Sequence, residues 1–228
     1  MPRGPRIAIA QSPHHVVQRG HNRGAVFTEM GDYAAYLATL AEFRARLGLK
    51  VYAWCLMTNH VHLVIDPGKD ARHLSMLMKH LAGRHTRRTN RLMHRTGSSW
   101  EGRFKCSLVD TDAYLLSCVR YVERNPVRAG MVRSPGEYPW SSYAMRMGLV
   151  YGDWLDRDPA YLALATTEAC RRRRYQEFVA RPESDDELEL LRTALQRNQL
   201  TGSSHFVNQT ERALGRDISR RARGRPRK

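Results

Sequence analysis

His60 and His62 stand one residue apart in the apolar run TNHVHLVID, residues 58–66. Successive side chains of a β-strand alternate between faces, so the two imidazoles share one face while Val61, Leu63 and Ile65 share the other. Two imidazoles on one face are half of a metal site. Taken alone, the pattern equally suits histidines hydrogen-bonded on an antiparallel sheet. A second pair lies in RYVERNP, where Tyr121 and Asn125 are four residues apart and project from one side of a helix. Asn125 offers a carbonyl oxygen suited to a hard cation such as Mg²⁺ or Mn²⁺, and Tyr121 offers a phenolic oxygen. Tyr114 falls on nearly the same face and reads as a packing residue with its hydroxyl at the rim.

The elements that must hold these groups follow from local pattern. HHVVQRG (14–20) reads as a strand ending at glycine. Gly31-Asp32 leads into a helix whose apolar positions Tyr33, Tyr36, Leu37, Leu40, Phe43 and Leu47 keep a helical period up to Gly48. KVYAWCLM (50–57), the turn Thr58-Asn59 and HVHLVID (60–66) form a hairpin that stops at Pro67-Gly68. A second helix is expected from about Ala71 to Met93, with Leu74, Leu77, Met78 and Leu81 toward the core. Its later turns carry Arg84, Arg87, Arg91 and Arg95 as one basic stripe. GRFKCSLVD (102–110) is the fourth strand, and Asp110 or Thr111 caps a third helix ended by Asn125-Pro126. The order β-α-β-β-α-β plus one helix predicts an α+β fold: a ferredoxin-like split β-α-β antiparallel sheet with helices on one face. The other face is left for an added helix or a ligand. Beyond residue 150 the pattern degrades: RRRR (171–174) and ESDDELELL (183–191) suggest short surface helices, and 216–228 a mobile basic tail. Two parts are therefore expected, residues 1–150 as the domain and 151–228 as a basic extension.

Charge narrows the partner. The 228 residues carry 38 Lys and Arg against 22 Asp and Glu, a formal net charge of +16, with a pI near 10.4. Such an excess favours a polyanion, because each neutralised phosphate releases a condensed counterion. A membrane surface is the competing reading, yet no apolar run approaches the ~18 residues of a spanning helix and the N-terminal apolar stretch is short for a signal peptide. The scattered Cys55, Cys106, Cys118 and Cys170 contain no CxxC pair and read as small core residues in a reducing cytoplasm.

Together, these motifs resemble a known family. WCLMTNHVHLVIDP is similar to the His-hydrophobe-His segment of HUH endonucleases, and RYVERNPVRAGMVRSPGEYPWSSY to the catalytic helix and loop of their single-tyrosine transposase branch. HHVVQRGHNRGAVF, SSWEGRFK and the closing GRPRK narrow the resemblance to the REP-associated tyrosine transposases of bacteria. The resemblance implies the HUH fold with an added catalytic helix. It makes His60, His62 and Asn125 ligands of a divalent cation, Mg²⁺ or Mn²⁺, and Tyr121 the nucleophile. It further implies a cytoplasmic, nucleoid-associated enzyme that cuts and rejoins single-stranded hairpin DNA through a 5′-phosphotyrosine, as a monomer or homodimer. Arg19, Arg23 and the stripe Arg84, Arg87, Arg91, Arg95 become candidate phosphate contacts, with solvated surface as the alternative. Two rival readings stay open: a zinc hydrolase built on His60 and His62, and a hairpin-binding module without catalysis.

Overall fold

The computed structural model describes residues 7–111, 114–150, 152, 154–215 and 218. Five strands form one sheet in the order β2-β3-β1-β4-β5: β1 His14–Arg19, β2 Lys50–Met57, β3 His60–Asp66, β4 Lys105–Val109 and β5 Leu200–Thr201. The first four pair antiparallel, as the split β-α-β pattern requires, and β5 adds parallel to β4. The fold is α+β.

Pairing sets the two faces. Val16, Leu63 and Cys106 are register neighbours and, with Val61 and Ile65, point into one core under helices α1 (Met30–Leu47) and α2 (Arg72–Leu92). The periodic positions Leu74, Leu77, Met78 and Leu81 of α2 are all buried there. α1 stops at Gly48, whose φ of +64° is the left-handed cap conformation that glycine adopts without a Cβ penalty. On the opposite face Val64 and Val109 lie against helix α3, Leu115–Glu123, through Val119 and Val122. A bulge in β2 between Val51 and Ala53 turns Tyr52 and Ala53 both toward this second core, while Val51 and Trp54 keep to the first.

α3 is described from Leu115 with Tyr114 at its start, and the Tyr114 N–H donates to the Asp110 carbonyl at 3.2 Å; residues 112–113, between the expected cap and that start, lie outside the described residues. α3 ends at Glu123, just ahead of Asn125-Pro126 as expected, but the helical path resumes at once. A short helix α4, Asn125–Arg128, restarts there with Pro126 in its first turn, where the missing N–H breaks no bond within that turn.

The extension packs onto the sheet. After α5 (Tyr143–Arg146) come α6 (Pro159–Leu162), α7 (Glu168–Ala180), α8 (Asp185–Arg197) and, beyond β5, α9 (Ser204–Leu214). Tyr161, Tyr175, Val179 and Leu191 share the second core with α3. Arg146 is fully buried between Glu123, at 3.1 Å, and Asp158, at 3.3 Å. Of the tail foreseen over 216–228, only Ile218 is among the described residues; its N–H donates to Glu211 at 2.7 Å. No described helix is long and apolar enough to cross a membrane.

Candidate active site

The α3 face of the sheet carries His15, Val17 and Arg19 on β1, directly opposite Val64, His62 and His60 on β3. Arg19 and His60 are register partners at the open end of the strands. There Gly20 turns the chain, and a Cβ on it would fall on the Gly24 carbonyl oxygen. The turn carries Arg23 into the same cleft.

The Tyr121 ring lies across these histidines, with centroids 5.8 Å from His62 and 5.5 Å from His15 in edge-to-face contact. Tyr121, His62 and His15 of one chain meet. His60, His62 and Tyr121 line a cleft of about 840 Å³ that also receives Asn125.

Hydrogen bonds decide which atoms face the cleft. His60 Nδ1 lies 2.6 Å from the Asn59 side-chain oxygen, so Nδ1 donates and Nε2 keeps its lone pair. His62 Nδ1 contacts Nε2 of the fully buried His15 at 2.9 Å, leaving Nε2 as the remaining His62 nitrogen. That nitrogen can coordinate a cation when Nδ1 carries the proton and donates it to His15. The Asn125 amide nitrogen donates to the carbonyls of Tyr121 (3.1 Å) and Val122 (3.4 Å). Pro126 has no N–H to return to Val122, and the Asn125 side chain fills that gap. Its oxygen is thereby turned away from the helix. Two imidazole nitrogens and one amide oxygen therefore fit a divalent cation. Among the described residues no three His, Cys, Asp or Glu side chains gather as a metal-binding group, which leaves the zinc-hydrolase reading without a third ligand.

The imidazoles are held neutral. Burial brings His60 down to about 4, helped by the nearby Arg19 charge. Burial, followed by His60, His15, Arg128 and Arg19, pushes His62 well below its ordinary value. Neutral rings are the form that binds cations.

Arg128 was not among the sequence candidates. Its guanidinium lies 4.1 Å from the Tyr121 ring centroid, bonds the Tyr121 carbonyl, and is anchored by Glu183 at 2.5 Å. It follows Tyr121 by seven residues, two helical turns, a spacing that could have revealed it. Arg103 and Lys105, from the segment entering β4, and Arg192 on α8 also line the cleft. With Arg19, Arg23 and Arg128 they face, among the described residues, a single lining carboxylate, Glu101. His15 was read only as a strand residue, since nothing local to HHVV points to His62.

The α2 stripe lies elsewhere. α2 covers the opposite face of the sheet, where Arg84 forms a two-pronged pair with Glu42 of α1 and rests on the Phe43 ring. Arg87 and Arg91 are exposed on that helix, and Arg95, beyond its end, bonds Asn90 and Ser99. Arg19 and Arg23 join the site, while Arg84, Arg87, Arg91 and Arg95 do not line it. Tyr114 packs at the edge of the second core, outside the cleft.

A REP-associated tyrosine transposase sequence from Haemophilus influenzae (strain ATCC 51907 / DSM 11121 / KW20 / Rd) is 26% identical over 100 residues, 40% of this chain. The chain spans 57% of the length of that curated relative. The solved structure of a REP-associated tyrosine transposase bound to a REP hairpin superposes with a TM-score of 0.56 at 18% identity. It covers 68% of this chain and 94% of its own, a likeness of fold. Residues 8–125, more than half of the chain, match the family model "Transposase IS200 like", and they contain both histidines, Tyr121 and Asn125; the chain belongs to the IS200-like transposase family.

Proposed function

We propose that the protein is a divalent-cation-dependent endonuclease and strand transferase for single-stranded hairpin DNA, acting through a 5′-phosphotyrosine. The observation that carries this reading is the Tyr121 ring lying 5.8 Å from His62 in a cleft lined by six Arg or Lys side chains. Polyanionic backbone enters such a cleft by displacing counterions, and phosphate contacts fix its register. His60, His62 and Asn125 would hold the cation, which when bound supplies charge neutralisation at the scissile phosphate.

Arg19, Arg103 and Lys105 seat the flanking phosphates. The Tyr121 oxygen attacks phosphorus, the bond to the 3′ oxygen breaks, and the tyrosine retains the 5′ phosphate. The phenolic proton leaves toward solvent and the departing 3′ oxygen takes one up. Arg128, over the ring, favours negative charge as it develops on the phenol. Because the phosphodiester bond energy is kept in the phosphotyrosine, a 3′-hydroxyl can reverse the step and rejoin the strand without ATP.

The test is a labelled hairpin strand incubated with Mg²⁺ or Mn²⁺ and run under denaturing conditions. A protein-linked band that EDTA abolishes is expected. Cleavage with no linked band would favour a hydrolase, and binding with neither would leave a hairpin-binding module.

A further inference from the structure

We propose that helix α8 of the C-terminal extension is the second wall of the strand-binding cleft, with Arg192 gripping a phosphate and Gln196 reading a base edge of unpaired DNA beside the scissile position. The inference rests on the strand-cleavage reading above and assigns the extension a share of the substrate. The family match ends at residue 125, so this wall is built by chain that the family model does not describe.

The extension is fixed firmly enough to serve. β5 completes the sheet beside β4. Along the tyrosine helix and its continuation, Arg120, Arg124 and Arg128 recur every fourth residue and meet acids around the start of α8. Arg120 pairs with Glu187 at 2.5 Å, while Glu183 takes both Arg124, at 3.1 Å, and Arg128, at 2.5 Å. The Glu183 side chain is only 3% exposed. The run ESDDELELL is thus a clamp onto the nucleophile's helix.

That clamp also sorts charge on α8. The acids Asp185, Asp186 and Glu187 occupy its first turn, where they suit the positive end of the helix dipole. One turn beyond Leu188, the cleft-facing side presents Arg192 and Gln196, four residues apart and therefore on one face. Both are exposed, and neither has an ion pair or side-chain hydrogen bond among the described residues. Asn198 completes the wall, but its side-chain oxygen already accepts the Cys106 N–H at 3.1 Å, which pins α8 to β4. Arg103 and Lys105, the latter next to the Cys106 that Asn198 holds, line the same cleft, as does Arg128 on α4. A strand in this cleft would meet phosphate donors from α8, α4 and the start of β4, and a Gln amide is the side chain that offers a donor and an acceptor to one base edge.

The test compares two DNA hairpins, one blunt and one with an unpaired extension carrying the cleavage site. Binding is followed by fluorescence anisotropy in EDTA across a salt series. For the extended hairpin, Arg192→Ala should lower the slope of log affinity against log salt by about 0.7, the single-strand value for one phosphate. Gln196→Ala should weaken the same complex about tenfold. Neither should change binding of the blunt hairpin, and circular dichroism should be that of the wild type. Unchanged binding of the extended hairpin, equal losses on both hairpins, or a wild type that does not distinguish them would each overturn the proposal. Since the measurement needs no cleavage, failure of the wild type to form an adduct would remove the strand-cleavage reading separately.

Discussion

His15→Phe removes the group behind His62 while keeping a ring in the same buried place. In the structure the two imidazoles stack with centroids 5.1 Å apart and join Nε2 to Nδ1 at 2.9 Å. Phenylalanine offers no acceptor, so the His62 Nδ1 proton loses its partner and the ring is free to take the other tautomer. Loss of an outer-shell partner of this kind weakens metal affinity about 10- to 100-fold, or about 1.4–2.7 kcal/mol. Stability should move by only about 1 kcal/mol, because the lost hydrogen bond is offset by removing a buried Nδ1 that has no partner in the wild type. The assay is calorimetric titration of the cation-free protein with Mn²⁺, paired with ¹⁵N spectra that report the His62 tautomer. His15→Gln, which restores an acceptor oxygen, should recover most of the affinity. Wild-type Mn²⁺ binding by a folded His15→Phe variant would refute the reasoning.

Pro126→Ala returns a backbone N–H to the Val122 carbonyl and competes with the Asn125 amide. Mn²⁺ binding should fall about fivefold without loss of thermal stability, and unchanged affinity would show that Asn125 is oriented by something else. Arg146→Met leaves Glu123 and Asp158 buried without the cation between them, at a cost of about 3–5 kcal/mol in urea unfolding; a loss under about 1 kcal/mol would mean that the cluster relaxes or takes up protons. Burial lowers His14 to about 4 and His15 to about 3, below the ordinary 6.5, so as pH falls below about 6.5 the unfolded chain takes up these protons first. Stability is full above that pH and declines toward pH 4 by about 3 kcal/mol for His14 alone, readable as a falling urea midpoint; a flat midpoint between pH 7 and 4.5 would contradict neutral buried rings.

Local pattern revealed what local physics determines. The apolar period of α1 and α2, the Thr58-Asn59 hairpin and the shared face of His60 and His62 depend on neighbours within a few residues, and all appear in the structure. Long-range pairing was not legible. β5 is two residues long and exists only because β4 offers an edge. Glu183 and Glu187 looked like solvated acids until Arg120, Arg124 and Arg128 met them from more than fifty residues away. The same blindness made Arg84 look available, although Glu42 holds it in a two-pronged pair. His15 shows the limit most clearly, because its partner His62 lies across a strand pairing that the sequence does not spell out.

Mass mapping of the covalent product tests the central claim most directly. A cleaved hairpin strand trapped on the protein with Mn²⁺ is digested with nuclease and protease, and the peptide that carries the remaining nucleotide phosphate is sequenced. The geometry requires the modification on Tyr121, with Tyr121→Phe binding the hairpin but forming no adduct and Tyr114→Phe forming it normally. Nucleotide on Tyr114 or any other residue, or an adduct surviving in Tyr121→Phe, would contradict the account.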